Sequence, residues 1–347
     1  MLLKDFITQL EQNKWLCRED MKRLLLDSNP QTEELLRQRA VAVRQQLYGK
    51  RVYIRGLIEF TNYCKNDCYY CGIRRSNKKA SRYRLSIEEI LDCCKRGYAL
   101  GFRTFVLQGG EDGYYTDERL CHIIGEIRSL YPDCAITLSI GEKSKESYQR
   151  YYEAGANRYL LRHETACEAH YEMLHPKEMS LSNRKRCLQD LKEIGYQVGC
   201  GFMVGSPYQT IEHILDDLSF IKEFKPHMVG IGPYLVHKDT PFCNEKSGDY
   251  RLTLKLLSII RLMLPNVLLP ATTALGTISP KGREEGILSG ANVLMPNLSP
   301  VMVREKYSLY DNKICTGDEA AECVACMKRR MESSGYEVVV DRGDFRK

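Results

Sequence analysis

The stretch Ser86-Ile-Glu-Glu-Ile-Leu-Asp-Cys-Cys-Lys-Arg-Gly-Tyr-Ala-Leu100, followed three residues later by Thr104-Phe-Val-Leu-Gln-Gly-Gly110, decides how this chain folds. Its first half spaces apolar residues at helical intervals behind a serine, with Glu89 placed to complete a capping box. Its second half is a short apolar run that ends in glycines, the pattern of a buried strand feeding a loop. A helix handing over to a buried strand is one step of a βα repeat.

Working outward, the same alternation recurs from residue 51 onward. Strands are predicted to begin near Val52, Thr104, Ala135, Arg158, Gln197, Met228, Val267 and Asn292, with helices over 86–100, 117–130, 182–194, 210–224 and 250–264. Eight strands with eight connections predict an α/β fold of the (βα)8 TIM-barrel type rather than an open doubly wound sheet. At 347 residues the chain is long, yet such barrels reach this size as one domain. Residues 1–50 read as a helical segment packed on the barrel, with Leu24, Leu25, Leu35, Leu36 and Val41 as its apolar set. Residues 51–300 form the barrel, and residues 301–347 form an extension with a short strand at 337–340 and a second group of cysteines.

The net charge of +6 comes from 51 basic and 45 acidic residues spread along the chain, and the 22 tyrosines are scattered. That distribution predicts a solvated surface rather than a nucleic-acid face. The N-terminus lacks an apolar signal core, and the most apolar stretch, 252–264, is interrupted by Lys255 and Arg261, so a soluble cytoplasmic protein without a membrane segment is expected. Fifteen cysteines in such a chain point to metal or redox chemistry rather than disulfides.

In a barrel of this kind the chemistry belongs on the loops after the strands. The loop after the first strand carries Cys64-Lys-Asn-Asp-Cys68-Tyr-Tyr-Cys71-Gly72. Four thiolates saturate a zinc ion or an iron-sulfur cluster, whereas three leave one iron of a [4Fe-4S] cube open to another ligand; a zinc site with a distant fourth ligand is the alternative. Strand alternation puts Arg158, Leu160, Arg162 and Glu164 on one face, Gly199, Gly201, Met203 and Gly205 on another, and Thr137 with Ser139 on a third. Small and polar inward positions imply a cavity, and two arginines in it suggest a ligand with anionic character.

The spacing Cys64-x3-Cys68-x-Tyr70-Cys71 resembles the motif of the radical S-adenosylmethionine (radical SAM) superfamily. The resemblance implies that Cys64, Cys68 and Cys71 hold the catalytic [4Fe-4S] cluster. The amino and carboxylate groups of SAM would chelate the open iron, and reductive cleavage would yield a 5′-deoxyadenosyl radical. It further implies SAM contacts from Tyr70, the Gln108-Gly109-Gly110 segment, Ser139, Glu164 and Arg184, with Gly205 and Met228 flanking adenine.

Longer segments narrow the likeness. Ile58-Glu-Phe-x-Asn62-x-Cys64, Arg158-Tyr-Leu-Leu-Arg-His-Glu-Thr-Ala166, Met228-Val-Gly-Ile-Gly-Pro233, Pro270-Ala-Thr-Thr-Ala274, Ala291-Asn-Val-x-Met-Pro-Asn297 and Lys313-Ile-Cys315 resemble the HydE family of [FeFe]-hydrogenase maturases. That resemblance implies a small organometallic substrate, a cysteine-ligated Fe(CO)2CN species delivered by HydG. The cavity would be walled by Thr137, Arg158, Arg162, Thr272, Thr273, Met295, Tyr307 and Tyr310. It also implies HydG and HydF as partner maturases, an electron donor such as ferredoxin or flavodoxin, and an auxiliary [2Fe-2S] or [4Fe-4S] cluster on Cys315, Cys323 and Cys326. The rival readings are a PylB-like methylornithine synthase, a biotin-synthase-like enzyme, and a non-enzymatic iron-sulfur or zinc protein that binds RNA. The Cys315, Cys323, Cys326 group argues against the first.

Overall fold

The computed structural model describes residues 3–314 and 324–346. Three helices, α1 (Leu3–Asn13), α2 (Arg18–Leu26) and α3 (Pro30–Tyr48), lead into strands β1 (Arg51–Ile54) and β2 (Gly56–Thr61). Then α4 (Ile87–Ala99), β3 (Thr104–Gly109), α5 (Asp117–Leu130), β4 (Ala135–Ser139), α6 (Lys145–Glu153) and β5 (Arg158–Leu160) alternate along the chain. They are followed by α7 (Glu168–Leu174), α8 (Leu181–Ile194), β6 (Gln197–Cys200), β7 (Met203–Val204), α9 (Ile211–Phe224), β8 (Met228–Val229), β9 (Gly232–Pro233) and α10 (Tyr250–Met263). Last come α11 (Thr273–Ile278), α12 (Gly282–Ile287), β10 (Val293–Leu294), α13 (Val301–Arg304), α14 (Val324–Ser333) and β11 (Glu337–Val339).

The quoted unit folds as its pattern predicts. The Glu89 N–H donates to Ser86 Oγ (3.2 Å) and the Ser86 N–H to Glu89 Oε2 (2.6 Å), closing the capping box. Six strands form one parallel sheet in the order β2-β3-β4-β5-β6-β8. Single parallel bridges, Met228 to Leu268, Pro270 to Val293 and Leu57 to Asn297, carry the ring through the seventh and eighth positions and back to β2. The barrel therefore closes, and all eight predicted strand starts lie on its wall. The seventh is held by bridges alone because Pro265 and Pro270 flank it, and proline has no N–H for a ladder. Strand faces and helix stripes pack into one core, as expected of parallel strands covered on both sides. The N-terminal helices join it through Leu24, Leu25, Leu36 and Val43, with Val41 at the margin. No helix among the described residues is long and apolar enough to cross a membrane.

The lower end of the barrel corrects two expectations. Arg158 is fully buried, but below the cavity rather than in it. Its guanidinium donates to Thr104 Oγ1 (3.1 Å), the Arg342 carbonyl (2.8 Å) and Asp344 (2.7 Å). Gln197 donates to the same carboxylate (3.0 Å), so the tail after β11 plugs the barrel floor. Met228, expected beside adenine, opens β8 at that same level and packs with Tyr48, Tyr53, Leu268 and Val293. Burial raises the Asp344 carboxyl, but Arg158 and Gln197 outweigh it and hold it below the ordinary range. The latch thus contributes its full stability above about pH 4 and loses it as pH falls further. Arg158→Leu is expected to cost about 1–3 kcal/mol, because Asp344 is partly solvated, and to leave the KM for SAM unchanged. Denaturant melts at pH 7 and pH 3 alongside SAM-cleavage kinetics check this; a raised KM at unchanged stability would contradict it.

Candidate active site

The cysteine loop leaves β2 and is stapled from within. Asp67 accepts from Arg74 Nε (2.8 Å), the Ser76 N–H (2.9 Å) and Ser76 Oγ (2.7 Å); burial opposes its charge, but these partners hold the carboxyl well below the usual range. Gly72 seats the loop against the chain beyond β10: its N–H donates to the Leu309 carbonyl (2.9 Å), and a Cβ there would lie 2.2 Å from the Ser308 oxygen. Glycine is needed for that approach.

Cys64, Cys68 and Cys71 all face one cavity. Burial, and then the neighbouring thiols, push Cys68 far up and Cys71 to about 12, and burial also raises Cys64. Three crowded, buried thiols of this kind become thiolates only around a positive centre, which the irons of a cluster provide. Among the described residues no three His, Cys, Asp or Glu side chains are drawn together tightly enough for a single metal ion; what the loop offers is a wider triad. The donor set fits a cluster with one corner left for another ligand.

Tyr70, just before the third cysteine, is fixed from α7. His175 Nδ1 faces the Tyr171 carbonyl (3.0 Å) and must donate to it, which leaves Nε2 to accept the Tyr70 hydroxyl (3.1 Å). Burial, then the Arg184 charge, pushes His175 down to about 3, so the ring stays neutral.

The Gly-Gly edge after β3 lies against this loop. The Gly110 N–H donates to the Thr61 carbonyl (3.2 Å), the Lys65 N–H to the Glu111 carbonyl (2.9 Å), and the Glu111 N–H lies 3.4 Å from Cys64 Sγ. A Cβ on Gly110 would stand 2.1 Å from the Tyr63 carbonyl oxygen. Across the cavity, Glu164 holds a left-handed backbone (φ 65°), rare for a non-glycine, with its carboxylate 3.1 Å from Arg162. Arg184 pairs with Glu142 (2.6 Å) and donates to the Arg162 carbonyl (3.3 Å).

The cavity these groups share has a volume of about 380 Å³. It is lined by Tyr70, Gln108, Gly109, Gly110, Ser139, Arg162, Glu164 and Arg184, and also by Thr272, Thr273, Met295, Tyr307 and Tyr310. Four expected residues lie elsewhere. Arg158 and Met228 belong to the floor, Thr137 is level with Arg158 and buried, and Gly205 sits in a turn (φ 70°) pressed against Gly248. Gly230, Gly232 and Pro233 take the wall positions expected of Met228.

The sequence reading assigned no role to Glu59 and Lys313, which also line the cavity. Lys313 Nζ lies 2.5 Å from Glu59 Oε1 and donates to the Tyr307 carbonyl (2.9 Å), while Asn297 holds Glu59 Oε2 (2.8 Å). A charged residue in the otherwise apolar run 57–60 was the available signal for Glu59, and for Lys313 the only one was its place in the family-like segment Lys313-Ile-Cys315. Of the second cysteine group, Cys315 and Cys323 lie outside the described residues, and Cys326 sits on α14 beside Arg329 (3.2 Å).

The profile of the Radical SAM superfamily matches residues 58–221. The HydE subunit of the [FeFe] hydrogenase maturase of Thermotoga maritima is 44% identical over 98% of this chain and 97% of its own. The 3-methylornithine synthase of Methanosarcina acetivorans is 30% identical over 93% of this chain and 90% of its own. The crystal structure of methylornithine synthase (PylB) superposes with a TM-score of 0.84 at 28% identity, covering 97% of both chains. A likeness at 44% identity across nearly the whole length, with the cysteine triad in one barrel-mouth cavity, makes this chain a member of the HydE family of radical SAM enzymes.

Proposed function

We propose that this chain reductively cleaves SAM and uses the radical chemistry in assembling the diiron active-site subcluster of [FeFe]-hydrogenase. The observation that carries this reading is the convergence of Cys64, Cys68 and Cys71, the Gly109-Gly110 edge, Glu164 and Arg184 on one cavity. Kinship to a maturase subunit supports it. Bound cluster and SAM would supply a 5′-deoxyadenosyl radical, chemistry that belongs to the cofactor. The chain's own work is placement. Gly109 and Gly110 let backbone approach the methionyl ammonium, Arg184 offers a fork to the carboxylate, and Glu164 accepts from ribose hydroxyls. Ser139 and Tyr70 border the same space. Arg162, Thr272, Thr273, Met295, Tyr307 and Tyr310, with Lys313 and Glu59, would face the substrate, a small cysteine-ligated Fe(CO)2CN species from HydG. HydF and a ferredoxin or flavodoxin complete the proposed partners.

In a maturation mixture rebuilt from purified components, omitting this protein should abolish hydrogenase activity and adding it should restore it. Full activity without it, or formation of 3-methylornithine by it, would sink the maturase reading.

An auxiliary cluster on Cys315, Cys323 and Cys326 is part of the proposal. Changing all three to alanine should lower the iron content to about four per chain. SAM cleavage should stay at the wild-type rate. Loss of cleavage with the first cluster intact would show that the second group is not auxiliary.

A further inference from the structure

The turn 162–166 that presents Arg162 and Glu164 to the cavity lies outside the named helices and strands, with a single parallel bridge from Glu164 to Phe202, and its backbone is tied to neighbouring elements at several points. The Glu164 N–H donates to the Gly201 carbonyl (3.0 Å), and Arg184 and Lys185 of α8 donate to the carbonyls of Arg162 (3.3 Å) and Ala166 (3.2 Å). Two further ties come from residues with no role so far. His163 Nδ1 accepts the Gly201 N–H (3.2 Å), so the neutral ring carries its proton on Nε2, which faces Asp217 of α9 at 3.3 Å. The same Asp217 oxygen accepts the Ala166 N–H (2.6 Å). Both side chains have no exposed surface, and the His163 ring is wedged against Phe202 and Phe220.

We infer that His163 and Asp217 are positioning residues that hold Glu164 in its left-handed conformation and thereby aim its carboxylate into the cavity. A non-glycine residue in that region of backbone space is strained and persists only where its surroundings impose it. Glu164 sits between the two points that the pair clamps, His163 before it and Ala166 after it. Burial pushes the Asp217 carboxyl well up and the His163 ring well down, so both groups stay neutral side by side in a dry interior, 3.3 Å apart. Released from this clamp, Glu164 would relax toward an ordinary conformation and swing its carboxylate away.

The inference rests on the reading that Glu164 contacts SAM, and a double-mutant cycle separates the two. With reconstituted holoenzyme, KM for SAM, kcat for 5′-deoxyadenosine formation and melting temperature are measured for wild type, Glu164→Gln, Asp217→Leu and the double variant. Asp217→Leu should raise KM roughly tenfold, the loss expected when one buried polar contact is removed, with kcat little changed. It should add almost nothing in the Glu164→Gln background. Asp217→Asn, which keeps an acceptor for Ala166 and His163, should restore the wild-type KM. The same cycle with His163→Phe, which keeps the ring, stands in if Asp217→Leu yields no folded protein. Additive effects of Asp217→Leu and Glu164→Gln, or no recovery with Asp217→Asn, would overturn the clamp. Glu164→Gln with an unchanged KM would instead reject the SAM contact.

Discussion

Replacing Cys64 with alanine is expected to cut 5′-deoxyadenosine formation more than about a thousandfold, roughly 4 kcal/mol of barrier. Cys64 starts the loop, and its sulfur lies beside the Glu111 N–H at the junction with the Gly-Gly edge. Removing it takes one corner from a donor set of three, and among the described residues no other cysteine lines the cavity to replace it. Cys17 is exposed and distant in sequence, so Cys17→Ala serves as the matched control and should behave as wild type. Iron per chain and product formation are read on the same samples; turnover by Cys64→Ala at the wild-type rate would remove the loop from the chemistry.

Gly110→Ala should be nearly as damaging, although it changes neither charge nor donor set. The new methyl carbon would stand 2.1 Å from the Tyr63 carbonyl oxygen and 2.8 Å from Cys64 Cβ. Backbone cannot rotate away as a flexible side chain would, so the cysteine loop must retreat by about an ångström. Overpacking of this kind costs about 1–3 kcal/mol of stability. A displacement of that size at a reacting centre costs about a hundredfold in rate. Gly113→Ala, where an added Cβ meets nothing within 4 Å, should be silent. Single-turnover SAM cleavage distinguishes the two, and a Gly110→Ala enzyme with wild-type kinetics would show that the loop does not rest on this edge.

The βα repeat could be read from the sequence because helix and strand periods differ, and capping residues such as Ser86 mark the boundaries. Alternation also identified the inward face of the fourth strand, since Leu160, Arg162 and Glu164 do line the cavity. What alternation cannot give is depth. A strand rises about 3.3 Å per residue, so Arg158 and Arg162 share a face yet stand about 13 Å apart, one in the floor and one at the rim. Met228 was misplaced in the same direction, since it packs in the floor while Gly230, two residues on, lines the cavity. Gly205 failed for another reason: Met203, beyond the break at Gly201, still lines the cavity, but the strand ends at Val204 and Gly205 turns aside (φ 70°) against Gly248. The tail that meets Arg158, and Lys313 reaching back to Glu59, are contacts between residues far apart in the chain, with no local pattern to announce them.

The most direct measurement uses a protein whose Cys315, Cys323 and Cys326 are alanine, reconstituted anaerobically to about four irons per chain and then reduced. Addition of SAM should change the electron paramagnetic resonance spectrum of the cluster and release 5′-deoxyadenosine if, as proposed, SAM binds at the corner left open by Cys64, Cys68 and Cys71. A fully loaded, reduced cluster whose spectrum ignores SAM, with the SAM recovered intact, would contradict that assignment.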